Sequence, residues 1–162
     1  MKWKPFFTGL FMLWAVHVQS QSTLQYSDFA SLHSNILKDT EHITVLNFWA
    51  TWCKPCVAEL PEFEKIHADF KASHVQVILA NLDFHSKTDS VVPPFIVKKN
   101  LQSEVVHLTD QDANDWIDRI DASWSGAIPA TVIYYKGQKV WFFEGQTDYD
   151  TLKSIIIKYI QQ

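Results

Sequence analysis

A chain of 162 residues is long enough to bury one real core and too short for two ordinary domains. Its hydrophobic share of 47% and charged share of 20% are those of a globular protein and exclude a disordered one. Fourteen basic against 18 acidic side chains give a net −4, with both signs scattered, so no basic stripe is present and nucleic acid is excluded as a partner.

Residues 1–20 differ from the rest. Lys2 and Lys4 precede an apolar stretch from Phe6 to Val18, and the polar "QSQS" follows. As a helix this stretch spans ~20 Å, short of the ~30 Å hydrocarbon core. It therefore reads as a secretory signal peptide, with residues 21–162 as one domain; an uncleaved membrane anchor is the alternative. Val18 and Ser20 can serve as the small residues before the cut. No cysteine lies here to carry a lipid anchor of the bacterial lipoprotein kind. Loss of Lys2 and Lys4 leaves 12 basic and 18 acidic residues, a net −6. The expected location is periplasmic or otherwise extracytoplasmic, where disulfides persist.

Further along, "SDFASLHSNILK" (27–38) predicts a helix capped at Ser27, with Phe29, Leu32, Ile36 and Leu37 at helical spacing. "HITVLNFWA" (42–50) and "VQVILANLD" (75–83) are continuous apolar runs, suited to strands buried on both faces. Between them Val57, Leu60, Phe63, Ile66 and Phe70 recur every three or four residues, predicting an amphipathic helix from Lys54 to Phe70 with a kink at Pro61. "SVVPPFIVKKNL" and "SEVVHLTD" read as a helix, opened by Pro93-Pro94, and a short strand. "DANDWIDRI" (112–120) reads as a short helix. "ATVIYYKGQKVWFFEG" (130–145) is a β-hairpin turning at Lys136-Gly137-Gln138. In "DYDTLKSIIIKYIQQ", Leu152, Ile155, Ile156, Tyr159 and Ile160 form the apolar face of a closing helix. This order describes an α/β protein, a central mixed β-sheet flanked by helices.

The two cysteines, Cys53 and Cys56, stand in "FWATWCKPC" (48–56), after the first buried run and at the start of a helix. There the unpaired backbone N–H groups and the helix dipole favour negative charge. Lowering a thiol from pKa ~8.5 to ~7 takes about 2 kcal/mol, within reach of a helix terminus aided by Lys54. Pro55 fits the first turn, where no donor is lost. Cys56, one turn later, would act as the resolving thiol. Two other readings stay open. A zinc half-site needs two more ligands, and His33, His42, His67, His74, His85 and His107 are scattered without paired spacing, as ordinary surface or edge residues. A purely structural staple closes too small a loop to remove much chain entropy.

The motif "FWATWCKPC" resembles the thioredoxin active site, Trp-Ala-x-Trp-Cys-x-x-Cys, and "GAIPATVIYY" (126–135) resembles that family's cis-proline loop. The resemblance covers the mature chain in element order and implies a thioredoxin fold. It makes Cys53 the attacking and Cys56 the resolving cysteine of a redox-active disulfide. It also implies a cis Ile128-Pro129 peptide facing the dithiol, where Ile128 pairs with a substrate strand, and Trp52 in the apolar surface beside it. Trp49 reads as core.

Two departures narrow the branch. Thioredoxin's buried aspartate is replaced by Asn47, which cannot take a proton, while Glu59 lies three residues after Cys56 on the same helical face. Cys-x-x-Glu-x-Pro is similar to the TlpA-like branch of exported thiol-disulfide oxidoreductases, which includes those of cytochrome c maturation, where the glutamate tunes the dithiol. The 46-residue separation of Asp83 and Pro129 exceeds that of a plain thioredoxin and implies an inserted helix-strand unit (about 89–109) before the cis-proline loop.

The expected function is thiol-disulfide exchange with disulfides or thiols of exported proteins, as a reductant fed by a membrane electron-transfer protein, with no cofactor and no metal. Isomerase or oxidase activity, a metal-carrying module and a non-catalytic binding module are the alternatives. The peroxidase branch of the fold would need a Thr-x-x-Cys helix start and an arginine near the thiolate. Neither fits Ala50-Thr51-Trp52-Cys53 and the single arginine, Arg119.

Overall fold

The computed structural model describes residues 22–110 and 112–161; the expected signal peptide, residues 1–20, lies outside them. In chain order the elements are β1 (Leu24–Ser27), α1 (Phe29–Lys38), β2 (Ile43–Trp49), α2 (Lys54–Phe70), β3 (Val75–Asn81), α3 (His85–Lys99), β4 (Glu104–Leu108), α4 (Ile117–Ile120), β5 (Ala130–Tyr135), β6 (Gln138–Glu144) and α5 (Tyr149–Ile160). The strands form one sheet in the order β1-β4-β3-β2-β5-β6. Pairings from β1 to β2 are parallel, and β5 and β6 join antiparallel. The sheet is therefore mixed, as the sequence predicts.

Both central runs are buried on both faces, and their alternation divides the core. Ile43, Val45 and Trp49 of β2, with Val75, Val77 and Leu79 of β3, meet α2, α3 and α5 on one face. Leu46, Phe48, Ile78 and Ala80 meet α1, α4 and the indoles of Trp116 and Trp124 on the other. Trp49 is core, as expected.

Several local expectations are corrected. Helix α1 is capped by Asp28, whose carboxylate accepts from Ser31 N at 2.8 Å, not by Ser27, which ends β1. Strand β1 was not disclosed by the pattern: two of its four side chains are exposed, and it gains its place by parallel pairing with β4. Pro93-Pro94 lie inside α3 rather than at its start. The polar first turns of α3 hide its beginning, but Thr88, Val92 and Ile96 are buried at successive four-residue steps. His33 and His107 are not surface residues; they are 8% and 1% exposed. His33 faces the Tyr134 hydroxyl at 3.1 Å. The segment 112–120 is a 3₁₀ turn, Ala113–Asp115, followed by α4.

The hairpin turns on Lys136 and Gly137, both at positive φ (50° and 72°), as a two-residue loop twisting with its strands requires. A Cβ at Gly137 would stand 2.1 Å from the carbonyl oxygen of Leu37. Glycine is required there by both conformation and space.

Candidate active site

Parallel strands β2 and β3 end on the same edge of the sheet, and the chain turns there from Trp49 into α2. The turn is closed by Cys53 N donating to Ala50 O at 3.1 Å. Cys53 is the cap of α2: its Sγ accepts from Cys56 N at 3.3 Å, and its carbonyl accepts from Val57 N at 3.0 Å. Pro55 occupies the first turn without loss of a bond, and the helix runs unbroken through Pro61 to Phe70. Cys53 and Cys56 form a disulfide, with Cα atoms 5.3 Å apart. Cys53 is 6% exposed and Cys56 wholly buried, so the first sulfur is the one nearer to solvent.

Across from it, Ile128-Pro129 is a cis peptide bond. The carbonyl oxygen of Ile128 lies 3.7 Å from Cys53 Sγ. Ile128 is half-buried and Pro129 is buried. Trp52 is 57% exposed and its ring stacks on that of the still more exposed Phe84, centroids 6.2 Å apart. Trp52, Cys53 and Ile128 therefore belong to one surface region, joined by Phe84, which the sequence reading did not single out. A large aromatic directly after a buried strand end was the available signal.

Glu59 points inward from α2 and is fully buried. Its Oε1 accepts from Asn47 Nδ2 at 2.8 Å and its Oε2 from Thr147 N at 2.8 Å. Asn47 Nδ2 also reaches Thr131 Oγ1 at 3.1 Å. Asn47 and Glu59, singled out separately in the sequence, are thus one buried pair beneath the dithiol. Burial pushes the Glu59 carboxyl up to about 7, against the pull of its two donors. Asn47 Oδ1 and Thr147 Oγ1 are buried beside it without a hydrogen-bond partner among the described residues. Thr147 was not foreseen, since a backbone N–H donor leaves no mark in sequence.

No group of three or more His, Cys, Asp or Glu side chains is arranged to hold a metal ion among the described residues. Nor is any described helix long and apolar enough to cross a membrane.

A mixed sheet with a helix-capping Cys-x-x-Cys pair opposite a cis-proline defines a thioredoxin-like fold. The chain belongs to the AhpC/TSA family, whose model matches residues 19–142. It is 35% identical to the thiol-disulfide oxidoreductase ResA of Oceanobacillus iheyensis over 59% of this chain and 43% of that protein. It is 33% identical to sporulation thiol-disulfide oxidoreductase A of Bacillus subtilis over 39% of this chain and 38% of that one. The chain spans less than half the length of these curated relatives. Among solved structures, a putative thiol:disulfide interchange protein DsbE from Chlorobium tepidum superposes with a TM-score of 0.61 at 24% identity, covering 78% of this chain and 84% of that one. StoA from Bacillus subtilis gives 0.57 at 24%, over 72% and 84%. These likenesses agree with the expected thioredoxin fold.

Proposed function

We propose that the protein is an exported thiol-disulfide oxidoreductase working through Cys53 and Cys56. The observation that carries this reading is the position of Cys53 Sγ, which caps α2 and lies beside the backbone of Ile128. The bond from Cys56 N and the helix N-terminus favour the anionic sulfur once the disulfide is reduced.

In the reducing direction, the Cys53 thiolate attacks one sulfur of a client disulfide. A Cys53–client bond forms and the other client sulfur leaves as thiolate. Cys56 then gives its proton to the Glu59 carboxylate and attacks Cys53 Sγ, closing the Cys53–Cys56 disulfide and releasing the second client thiolate. The client gains two electrons and the protein loses two. A carboxyl held near 7 can take and return that proton at neutral pH. Ile128 offers backbone to an extended client segment, and Trp52 offers it an apolar surface.

The names of the relatives support exchange as the reaction. Arg119, the arginine that a peroxidase reading would need at the thiolate, sits with its guanidinium 5.0 Å from the centre of the Phe29 ring, on α1. Residues 1–20 as a cleaved signal, an extracytoplasmic location, clients among exported proteins and a membrane electron donor complete the reading.

Cys56→Ser tests it. The variant should accumulate mixed disulfides with proteins of an oxidised extracytoplasmic extract, whereas Cys53→Ser should not. A Cys56→Ser protein that captures nothing refutes the mechanism. Equilibration with glutathione tests the direction: a potential near about −270 mV marks a reductant, one near about −120 mV an oxidant.

A further inference from the structure

Behind the dithiol runs a buried chain of polar side chains that the exchange reaction leaves unassigned. It starts at Thr51, in the turn two residues before Cys53. Thr51 N donates to Asp83 Oδ2 at 2.8 Å and the Thr51 hydroxyl donates to Asp83 Oδ1 at 2.6 Å. Asp83 is 8% exposed, and its Oδ2 also accepts from Asn81 Nδ2 at 2.7 Å. Because Asn81 spends its amide hydrogens there, its Oδ1 is the acceptor, taking Asp83 N at 3.2 Å and His107 Nδ1 at 3.1 Å. That fixes the hydrogen of a neutral His107 on Nδ1 and leaves Nε2 facing the Thr88 hydroxyl at 3.2 Å. Asn81, Thr88 and His107 are each at most 1% exposed.

Thr88 is on α3 and His107 on β4, the helix and strand of the insertion. The chain therefore crosses from the inserted strand, through the end of β3, to the turn after β2. That is two interstrand spacings, ~10 Å. Apolar side chains would fill this space without any polar group to satisfy. What the network adds is a fixed place for the Thr51 backbone. The same turn is closed by Cys53 N on Ala50 O, so the place of Thr51 sets the direction from which Cys53 enters α2.

We propose that the inserted α3–β4 unit is a positioning element for the dithiol: His107, Asn81 and Asp83 hold the turn Ala50–Cys53 so that the Cys53 sulfur stays on the N-terminus of α2. The inference rests on Cys53 being the attacking sulfur. Asp83, Asn81 and His107 act through Thr51.

The test is the pH profile of Cys53 alkylation in the reduced protein, with the reduction potential and the melting temperature measured alongside. The wild type reports on the exchange reading itself: a Cys53 midpoint at or above ~8.5 sinks that reading, and this inference with it. Given a lowered wild-type midpoint, Thr51→Val and His107→Phe are expected to raise it by about half a unit, about threefold less thiolate at pH 7. Thr51→Ser, which keeps the hydroxyl, should restore the wild-type profile. Folded variants that melt lower yet keep the wild-type midpoint and potential would overturn the proposal, because the network would then be filling alone. Should His107→Phe not fold, Thr51→Val, at a half-buried turn position, carries the same test.

Discussion

At neutral pH Glu59 stands near the middle of its titration, and this gives it two measurable consequences. The first is kinetic. Glu59→Gln keeps the shape of the side chain and its acceptor for Thr147 N, and an Asn47 amide turned over could present Oδ1 to the new amide. It removes the proposed proton acceptor, so resolution of a Cys53 mixed disulfide by Cys56 should slow on the order of 10²-fold at pH 7, while alkylation of Cys53 stays close to wild type. Stopped-flow measurement of the two steps separates them; equal slowing of both would remove Glu59 from the proton transfer. The second is thermodynamic. The folded-state value, about 7, lies above the ordinary 4.5, so the oxidised protein binds this proton more tightly when folded. The associated stability is full below pH ~4.5 and lost as pH rises through about 7, on the order of 3 kcal/mol in all. Burial lowers the pKa values of His33, His67 and His107, which works the other way in the same window. The test is therefore a difference: the advantage of the oxidised wild type over Glu59→Gln in denaturant midpoint should shrink as pH rises from ~4.5 through about 7. Glu59 was legible in the sequence as a carboxylate one turn from Cys56. Its full burial and its bond to Asn47 were not, because they depend on α2 crossing the odd-numbered face of β2.

Among the elements, α2 and α5 carry the site together. Asp148 caps α5 by accepting from Thr151 N at 2.8 Å, and the residue before it, Thr147, supplies the backbone N–H on Glu59. Asp148→Ala should cost ~1 kcal/mol by loss of the cap. The hairpin is the stricter case. Gly137→Ala places a methyl against the Leu37 carbonyl at a positive φ and should cost roughly 2 kcal/mol or more in a denaturation curve. A loss of only a few tenths would show that the β5–β6 turn does not pack on the end of α1 as described. The long elements were legible because their burial period is unbroken: Leu60, Phe63 and Ile66 in α2, the apolar runs in β2 and β3. The start of α3 was not, because His85–Asp89 are polar apart from one buried methyl, on Thr88, and the two prolines looked like a beginning. Ser27 and Asp28 both have side chains suited to a helix cap; only the pairing of β1, which takes Ser27 into the strand, decides between them.

Across the whole molecule, the insertion widens the sheet by placing β4 between β1 and β3, and it delivers His107 to the polar chain that reaches Thr51. A sequence can show that extra residues are present between Asp83 and Pro129. It cannot show that they return to the strand edge where the cysteines stand, since that is settled by parallel pairing of β4 with β3. The same topology brings together residues far apart in sequence, Cys53 and Ile128, and these were foreseen only through motif resemblance.

Everything proposed about function depends on Cys53 being an accessible thiolate near neutral pH. Alkylation of the reduced protein across a pH series, with each cysteine followed separately by mass spectrometry, measures this directly. Cys53 should react first, with a midpoint below the ~8.5 of a free thiol, and Cys56 later and at higher pH. Both cysteines titrating together at or above ~8.5 would contradict the account.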